Sequence, residues 1–365
     1  MSEDQPGSDP TSHGDALAVV IAKPRAQTVI EQLRAEGVYD ADRSVQAWDE
    51  AGVAVPVTEP PQSVTYREVV RQVGEPRLRT LADHLRERSW TDAECEQAPS
   101  SWAVIGSVVL VDIGDSPRPA EVGEALLQLH GEADTVLARH GIAGDHREPD
   151  VEVIAGTGDT ETVHVEHGTR YALDLAEVMF SPGNKAERAR MGEAVERDEH
   201  VLDMFAGVGY FTLPMARAGA NVTAVERNPT AFRFLVENTM LNDVSERVEP
   251  YRADCRDVVS NLATEQRADR VVMGYYEASA PRAEDSRAPP DASHEYLDSA
   301  LAALAPGGVV HMHEATPEAL VFDRPVDRLE SAAADAGRSV EVLDTRRVKG
   351  YSEGVAHVVV DARVE

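Results

Sequence analysis

From His200 to Glu314 the chain alternates short apolar runs with helical stretches, and this alternation restricts the fold more than any other feature. The runs are HVLDMF, NVTAVE, VEPYRA, RVVMGYY and GVVHMHE, with helices beginning near Tyr210, Pro229, Arg256 and Ala292. Strands alternating with helices build a doubly wound parallel sheet, and such sheets bind ligands at the carboxyl ends of their strands. A helix from about Val326 to Ala336 follows, then SVEVLDTRRV and GVAHVVVDARV. That last pair predicts an antiparallel hairpin closing the sheet.

Upstream the patterns are shorter. Ala16 to Val57 reads as strand, helix, strand, and the prolines of TEPPQS make a linker. A helical stretch is expected from Tyr66 to about Arg88, ended by QAPSS. AVIGSVVLVDI reads as a strand broken by glycine, EVGEALLQLHGEADTVLARHG as one amphipathic helix, and VEVIAG, ETVHVEHG and RYALDL as short strands. The expected organisation is a small α+β module over residues 1–60, a second over 61–175 and a catalytic domain over 176–365. PRAEDSRAPPD, Pro281 to Asp291, is polar and proline-rich and reads as a mobile loop. No repeat of about 20–50 residues recurs, which excludes a solenoid.

Asp and Glu number 65 against 35 Lys and Arg, a formal charge of -30. Only Lys23, Lys185 and Lys349 are lysines, so 32 basic residues are arginine. Such self-repulsion is tolerable when salt screens it, and at molar salt the Debye length falls to ~3 Å. Acid-rich, lysine-poor composition points to a salt-loaded, halophile's cytoplasm. The charge does not exclude a nucleic-acid partner, because counterion release counts for little in concentrated salt and a local arginine cluster can hide in an acidic whole. No apolar run approaches the ~18 residues of a membrane span. MSEDQPGSDPTSHGD has neither the basic nor the apolar region of a secretion signal, so the protein is expected to stay in the cytoplasm. A monomer is expected. Cys95 and Cys255 read as two free thiols.

VLDMFAGVGYFTLP is the most informative segment. A strand ends at Phe205, and Gly207 and Gly209 let the backbone approach a ligand before a helix starts. Asp203 can accept from a ligand's amino group. Glu226, at the tip of the second strand, can clamp two ribose hydroxyls. Asp254, at the tip of the third, can accept from an adenine amino group while Cys255 offers its backbone N–H. Three tips in register define a site for an adenosine-containing ligand. A dinucleotide turn would carry a third glycine where Phe211-Thr212 stand. The form D-x-F-x-G-x-G resembles instead the turn of the S-adenosylmethionine-dependent transferases, whose fold is the class I methyltransferase-like (Rossmann-like) sheet.

Together with VMFSPGNKAERARM, RNPTAFRFLVENTMLN and ADRVVMGY, that turn resembles the transferases that modify the purine 3′ to the anticodon of tRNA. Two siblings share the layout, the guanine-N1 methyltransferases and the wybutosine-synthesizing protein 2 family. The second transfers the 3-amino-3-carboxypropyl group of S-adenosyl-L-methionine to the tricyclic 4-demethylwyosine base of tRNA-Phe. The methyltransferases end their fourth strand with Asn-Leu-Pro, and here Met273-Gly274-Tyr275 stands in its place, which favours the aminocarboxypropyl transferases. The resemblance implies that Ser181, Lys185 and Arg188 line the cofactor pocket. Tyr275 or Tyr276 would stack on the extruded base, and Gly274 would leave room for its third ring. The methyltransferase and a non-catalytic binding protein remain the alternatives.

Other candidates read as structural. His311 and His313 alternate on one strand face with Glu314 beside them, a pattern that invites a metal; beyond the two histidines no further ligand is indicated, so strand packing is expected. His164 and His167 are read likewise, and Trp48, Trp90 and Trp102 as core or domain contacts.

Overall fold

A computed structural model describes residues 16–71, 77–143, 147–261, 267–275 and 293–365. Tyr276 and the expected loop Pro281 to Asp291 lie outside the described residues. The described residues fall into two compact units, divided between Glu87 and Arg88.

In the first unit, β1 (Leu17–Ala22), α1 (Ala26–Glu36), β2 (Gln46–Ala47), β3 (Gly52–Val57), β4 (Glu68–Arg71) and α2 (Leu81–Glu87) follow in order. The strands form an antiparallel sheet in the order β2-β3-β1-β4. Val19, Ile21 and Val55 of this sheet pack with Val29 and Leu33 of α1. The helix expected from Tyr66 is largely absent. Val69 pairs with Val19 in a strand, because two β-branched residues beside an open sheet edge gain more from pairing than from a helical turn. Trp48, expected in a core or contact, is 45% exposed.

The second unit opens with α3 (Asp92–Glu96), β5 (Trp102–Ile105), β6 (Val108–Val111), α4 (Pro119–Leu129), β7 (Thr135–Ala143) and β8 (Glu148–Gly156). The long amphipathic helix expected from Glu121 to Gly141 stops at Leu129, and its second half is β7. Thr135 to Ala138 pair in parallel with β6, and β7 pairs antiparallel with β8. A glycine-bearing break and a β-branched run decide for the strand once two neighbours offer pairing. The hairpin β9 (Glu161–Glu166) and β10 (Thr169–Asp174) comes next. Asn238 grips β10 at both Ala172 N and Ala172 O, and Tyr171 and Leu173 enter the main core.

The rest is α5 (Lys185–Ala194), β11 (His200–Asp203), α6 (Thr212–Ala218), β12 (Asn221–Val225), α7 (Pro229–Leu241), β13 (Val248–Tyr251), α8 (Cys255–Asn261), β14 (Ala268–Met273), α9 (Leu297–Ala303), β15 (Leu304–Pro317), α10 (Asp323–Asp335), β16 (Val340–Ser352) and β17 (Val355–Val364). They build a seven-stranded sheet in the order β13-β12-β11-β14-β15-β17-β16. The first five strands are parallel; β17 runs antiparallel to β15 and β16 runs antiparallel to β17. Neighbouring residues feed opposite faces. Val201, Ala224 and Val272 enter one core, while Leu202, Val225 and Val271 enter the other, as a sheet covered on both sides requires. Strand order reverses between β11 and β14, so a crevice opens beyond Asp203 and Met273.

Candidate active site at the carboxyl edge of the sheet

The turn after β11 is built for close approach. Gly207 and Gly209 hold φ of 57° and 103°, in the left-handed region. A Cβ at Gly207 would lie 2.4 Å from the Tyr210 ring, and one at Gly209 2.7 Å from Leu213, so neither position accepts a side chain. The turn's N–H groups are organised by Glu226, whose Oε2 accepts from Gly207 N at 2.8 Å and whose Oε1 accepts from Asn228 N at 2.6 Å. Asn228 in turn caps α7. Glu226 is half-buried without a guanidinium on its oxygens in these bonds, and burial pushes its carboxyl above the usual range.

Asp203 is buried beneath the same turn. It accepts from Thr212 Oγ1 at 2.7 Å and from Phe205 N at 3.4 Å, and burial raises its carboxyl to about 6. It therefore shapes the turn from below, where the sequence suggested direct contact with a ligand's amino group. Asp254 stands at the tip of β13, half-buried. Arg256 chelates it with Nε at 2.9 Å and Nη2 at 2.6 Å, which holds its carboxyl below the ordinary range. The same guanidinium lies 4.8 Å from the Tyr296 ring centroid. Cys255 is buried and burial pushes its thiol up to about 12, so only its backbone is available to a ligand.

On the other side of the turn, Ser181 and Arg188 come together. Arg188 is buried and donates to both oxygens of Glu166 at 2.7 and 2.9 Å and to the Ser181 carbonyl at 3.0 Å. Its guanidinium stacks over Phe180 at 4.6 Å and approaches Tyr210 at 5.9 Å. Burial opposes ionisation of Glu166, yet bonds from His164 and Arg188 bring its carboxyl down to about 2. Lys185 is exposed on the first turn of α5. It is Lys349, from β16, whose Nζ reaches Ser181 Oγ at 2.5 Å. Sequence reasoning passed over Lys349; its one signal was the scarcity of lysine.

At the tip of β14, Tyr275 packs against Phe205 with ring centroids 5.3 Å apart and lies 6.4 Å from Tyr296. Arg147, from the β7–β8 connection, stacks over Tyr275 at 5.3 Å. The Gly274 Cβ direction points at Phe211, 2.8 Å from its ring. Sequence reasoning gave that space to the third ring of the acceptor; the structure gives it to Phe211. Behind Phe211 lie His313, at 5.2 Å between centroids, and His357, bonded to His313 at 3.0 Å. Burial holds these imidazoles neutral, at about 3 and about 2. His311 is buried on the same strand, bonded to Asp361 at 2.6 Å and to Arg270.

A glycine cradle with a carboxylate on each flanking tip suits an elongated ligand carrying a diol and an exocyclic amine, which is the shape of S-adenosylmethionine. Fold and site together define an S-adenosylmethionine-dependent transferase of the class I methyltransferase type. Two family descriptions match the chain, the TRM5/TYW2 methyltransferase domain over residues 162–343 and the TYW2 N-terminal domain over residues 81–160. The chain is 39% identical over 269 residues to the tRNA(Phe) (4-demethylwyosine(37)-C(7)) aminocarboxypropyltransferase of Pyrococcus horikoshii, covering 73% of this chain and 90% of that protein. The crystal structure of P. horikoshii TYW2 in complex with MeSAdo matches with a TM-score of 0.63 at 35% identity, over 78% of this chain and 97% of that one. Trm5b from Pyrococcus abyssi matches with a TM-score of 0.69 at 29% identity, over 96% of this chain and 99% of that one. The chain belongs to the TRM5/TYW2 family.

Proposed function

We propose that this enzyme transfers the 3-amino-3-carboxypropyl group of S-adenosylmethionine to C7 of the 4-demethylwyosine base 3′ to the anticodon of tRNA-Phe. The observation that carries this choice within the family is the identity to the P. horikoshii aminocarboxypropyltransferase, 39% over 90% of that protein, against 32% over 75% of P. abyssi Trm5b. The tip of β14 agrees. N1 methylation of guanine must remove a ring proton, and Gly274-Tyr275 offers aromatic surface where a positioned polar group would be needed. The workplace that fits the composition is a salt-loaded cytoplasm. No helix among the described residues is long and apolar enough to cross a membrane.

The donor supplies a γ-carbon activated by the neighbouring sulfonium. Glu226 holds the ribose hydroxyls, Asp254 accepts from the adenine amino group beside the Cys255 N–H, and Gly207 and Gly209 admit the backbone to contact. Ser181 and Arg188 form the wall on the arm's side. Tyr275 gives the extruded base a face to stack on, steadied by Phe205 and by Arg147. As C7 bonds to the γ-carbon, the carbon–sulfur pair stays on sulfur, methylthioadenosine leaves, and C7 gives up its proton. The chain's contribution is mainly positioning. The test pairs a guanosine transcript with one carrying the precursor, each assayed with methyl- and carboxyl-labelled donor. Carboxyl label on the precursor alone is expected; methyl label on plain guanosine would assign the enzyme to the guanine-N1 methyltransferases.

A further inference from the structure

Lys349 is the feature of the site that the reading above leaves unused. It lies on β16, paired in register with His357, and its side chain crosses to Ser181 Oγ. The route is made by Gly183: a Cβ there would sit 3.0 Å from Lys349 Cδ and 3.4 Å from Nζ. Ser181 is fixed from behind by Arg188 on its carbonyl, and Arg188 borders Tyr210 of the glycine turn. Contacts thus run from Glu226 to Gly207 N, from Gly207 to the Tyr210 ring, and through Arg188 to Ser181 and Lys349. With the adenine at Asp254 and the ribose at Glu226 as proposed, that chain of contacts leads toward the donor's arm.

The residue type fits a carboxylate at that end. Arginine fills 32 of the 35 basic positions, and its planar fork suits the protein's ion pairs. Lysine carries a compact ammonium with three donors, able to serve a hydroxyl and a carboxylate together. The cross-strand neighbour His357 is held neutral, at about 2, by burial, His313 and Lys349 itself, so it puts no second positive charge beside the ammonium.

Resting on the proposed function, we infer that Lys349, with Ser181, binds the α-carboxylate of the aminocarboxypropyl arm and so fixes the far end of the transferred group. The group is anchored at two places, the turn and the ammonium, with the reacting carbon between them. Because the arm leaves on the base, its carboxylate must also be released from Lys349 at each turnover.

Calorimetric titration at molar salt tests this with three probes: S-adenosylmethionine, its decarboxylated form and 5′-methylthioadenosine. The natural chain should prefer the carboxylate-bearing probe by about tenfold or more, the range of one charge-assisted hydrogen bond. Lys349→Met should collapse that preference to about twofold and leave methylthioadenosine affinity unchanged, which also reports that the variant is folded. Lys349→Arg should recover part of it. The inference is overturned if Lys349→Met keeps the preference, or if it weakens all three probes alike, which would make Lys349 only a wall. A natural chain that binds none of the three would overturn the donor assignment itself, a separate result.

Discussion

Two groups of acids lie in and around the same sheet, and they are held in opposite ways. At the carboxyl edge, Asp203 and Glu226 lean on backbone N–H groups and a hydroxyl, and burial raises both toward neutrality. Elsewhere in the same unit, Glu187 of α5, Glu199 just before β11 and Asp361 of β17 lean on cations. Arg346 holds Glu187 at 2.7 and 2.8 Å and Asp361 at 2.6 Å, Arg190 and His311 add bonds to Asp361 at 3.1 and 2.6 Å, and Arg270 holds Glu199 at 2.7 Å. Burial pushes Asp361 up, but His311 and Arg346 bring its carboxyl well below the usual range. The same residue type therefore plays two parts. Acids matched by guanidinium bonds tie elements of the fold together, whereas acids bonded to N–H groups and a hydroxyl shape a turn.

The sharpest way to break the comparison is Arg346→Met. It strips Glu187 of the Arg346 cation and leaves Asp361 with Arg190 and His311 alone, and a broken buried pair costs about 3–5 kcal/mol. Urea unfolding at fixed molar salt should show that loss; a change under about 1 kcal/mol would mean the network is incidental.

A second test uses pH. Asp203 has a folded value of about 6, above the ~4 of an unfolded aspartate. The folded state therefore binds its proton more tightly, and this group's contribution to stability rises as pH falls from about 6 to 4. The stability difference between the natural chain and Asp203→Asn should shift by about 2 kcal/mol over that window. Asp361 carries the opposite sign: its contribution is present above about pH 4 and is lost as pH falls below it. Parallel slopes for Asp203→Asn and Asp361→Asn would erase the distinction.

Glu226→Ala should weaken S-adenosylmethionine binding by about 1.5–3 kcal/mol while moving the unfolding midpoint little. Asp254→Ala should cost less affinity, because Arg256 already occupies its oxygens and the ligand gains only the difference. Titration calorimetry of both variants ranks them. The smallest effect is expected of Gly274→Ala, whose methyl must displace the Phe211 ring at about 1 kcal/mol. Precursor turnover should fall several-fold with donor affinity nearly intact, and unchanged turnover would free Gly274 of any role.

The sheet and its turn were legible because period and glycine spacing are local. Asp203, Gly207, Gly209, Glu226 and Asp254 could each be placed from a strand end a few residues away. The bond from Lys349 to Ser181 could not, since 168 residues separate them and no pattern in either segment points to the other. Gly274 was found, but its neighbour was not: Phe211 approaches from another element. The misread stretches, β4 and β7, are short runs whose state is decided by the strand beside them.

β17 follows every other strand in the chain, yet it pairs between β15 and β16. A nascent chain halted before Val355 leaves both of those strands with an open edge, and β15 carries Val309, Val310 and Met312. Its emergence from the ribosome seals them in one event and seats β16, bringing Lys349 against Ser181. β17 thus completes the donor pocket, and chains truncated before Val355 should be far less protease-resistant than the full chain.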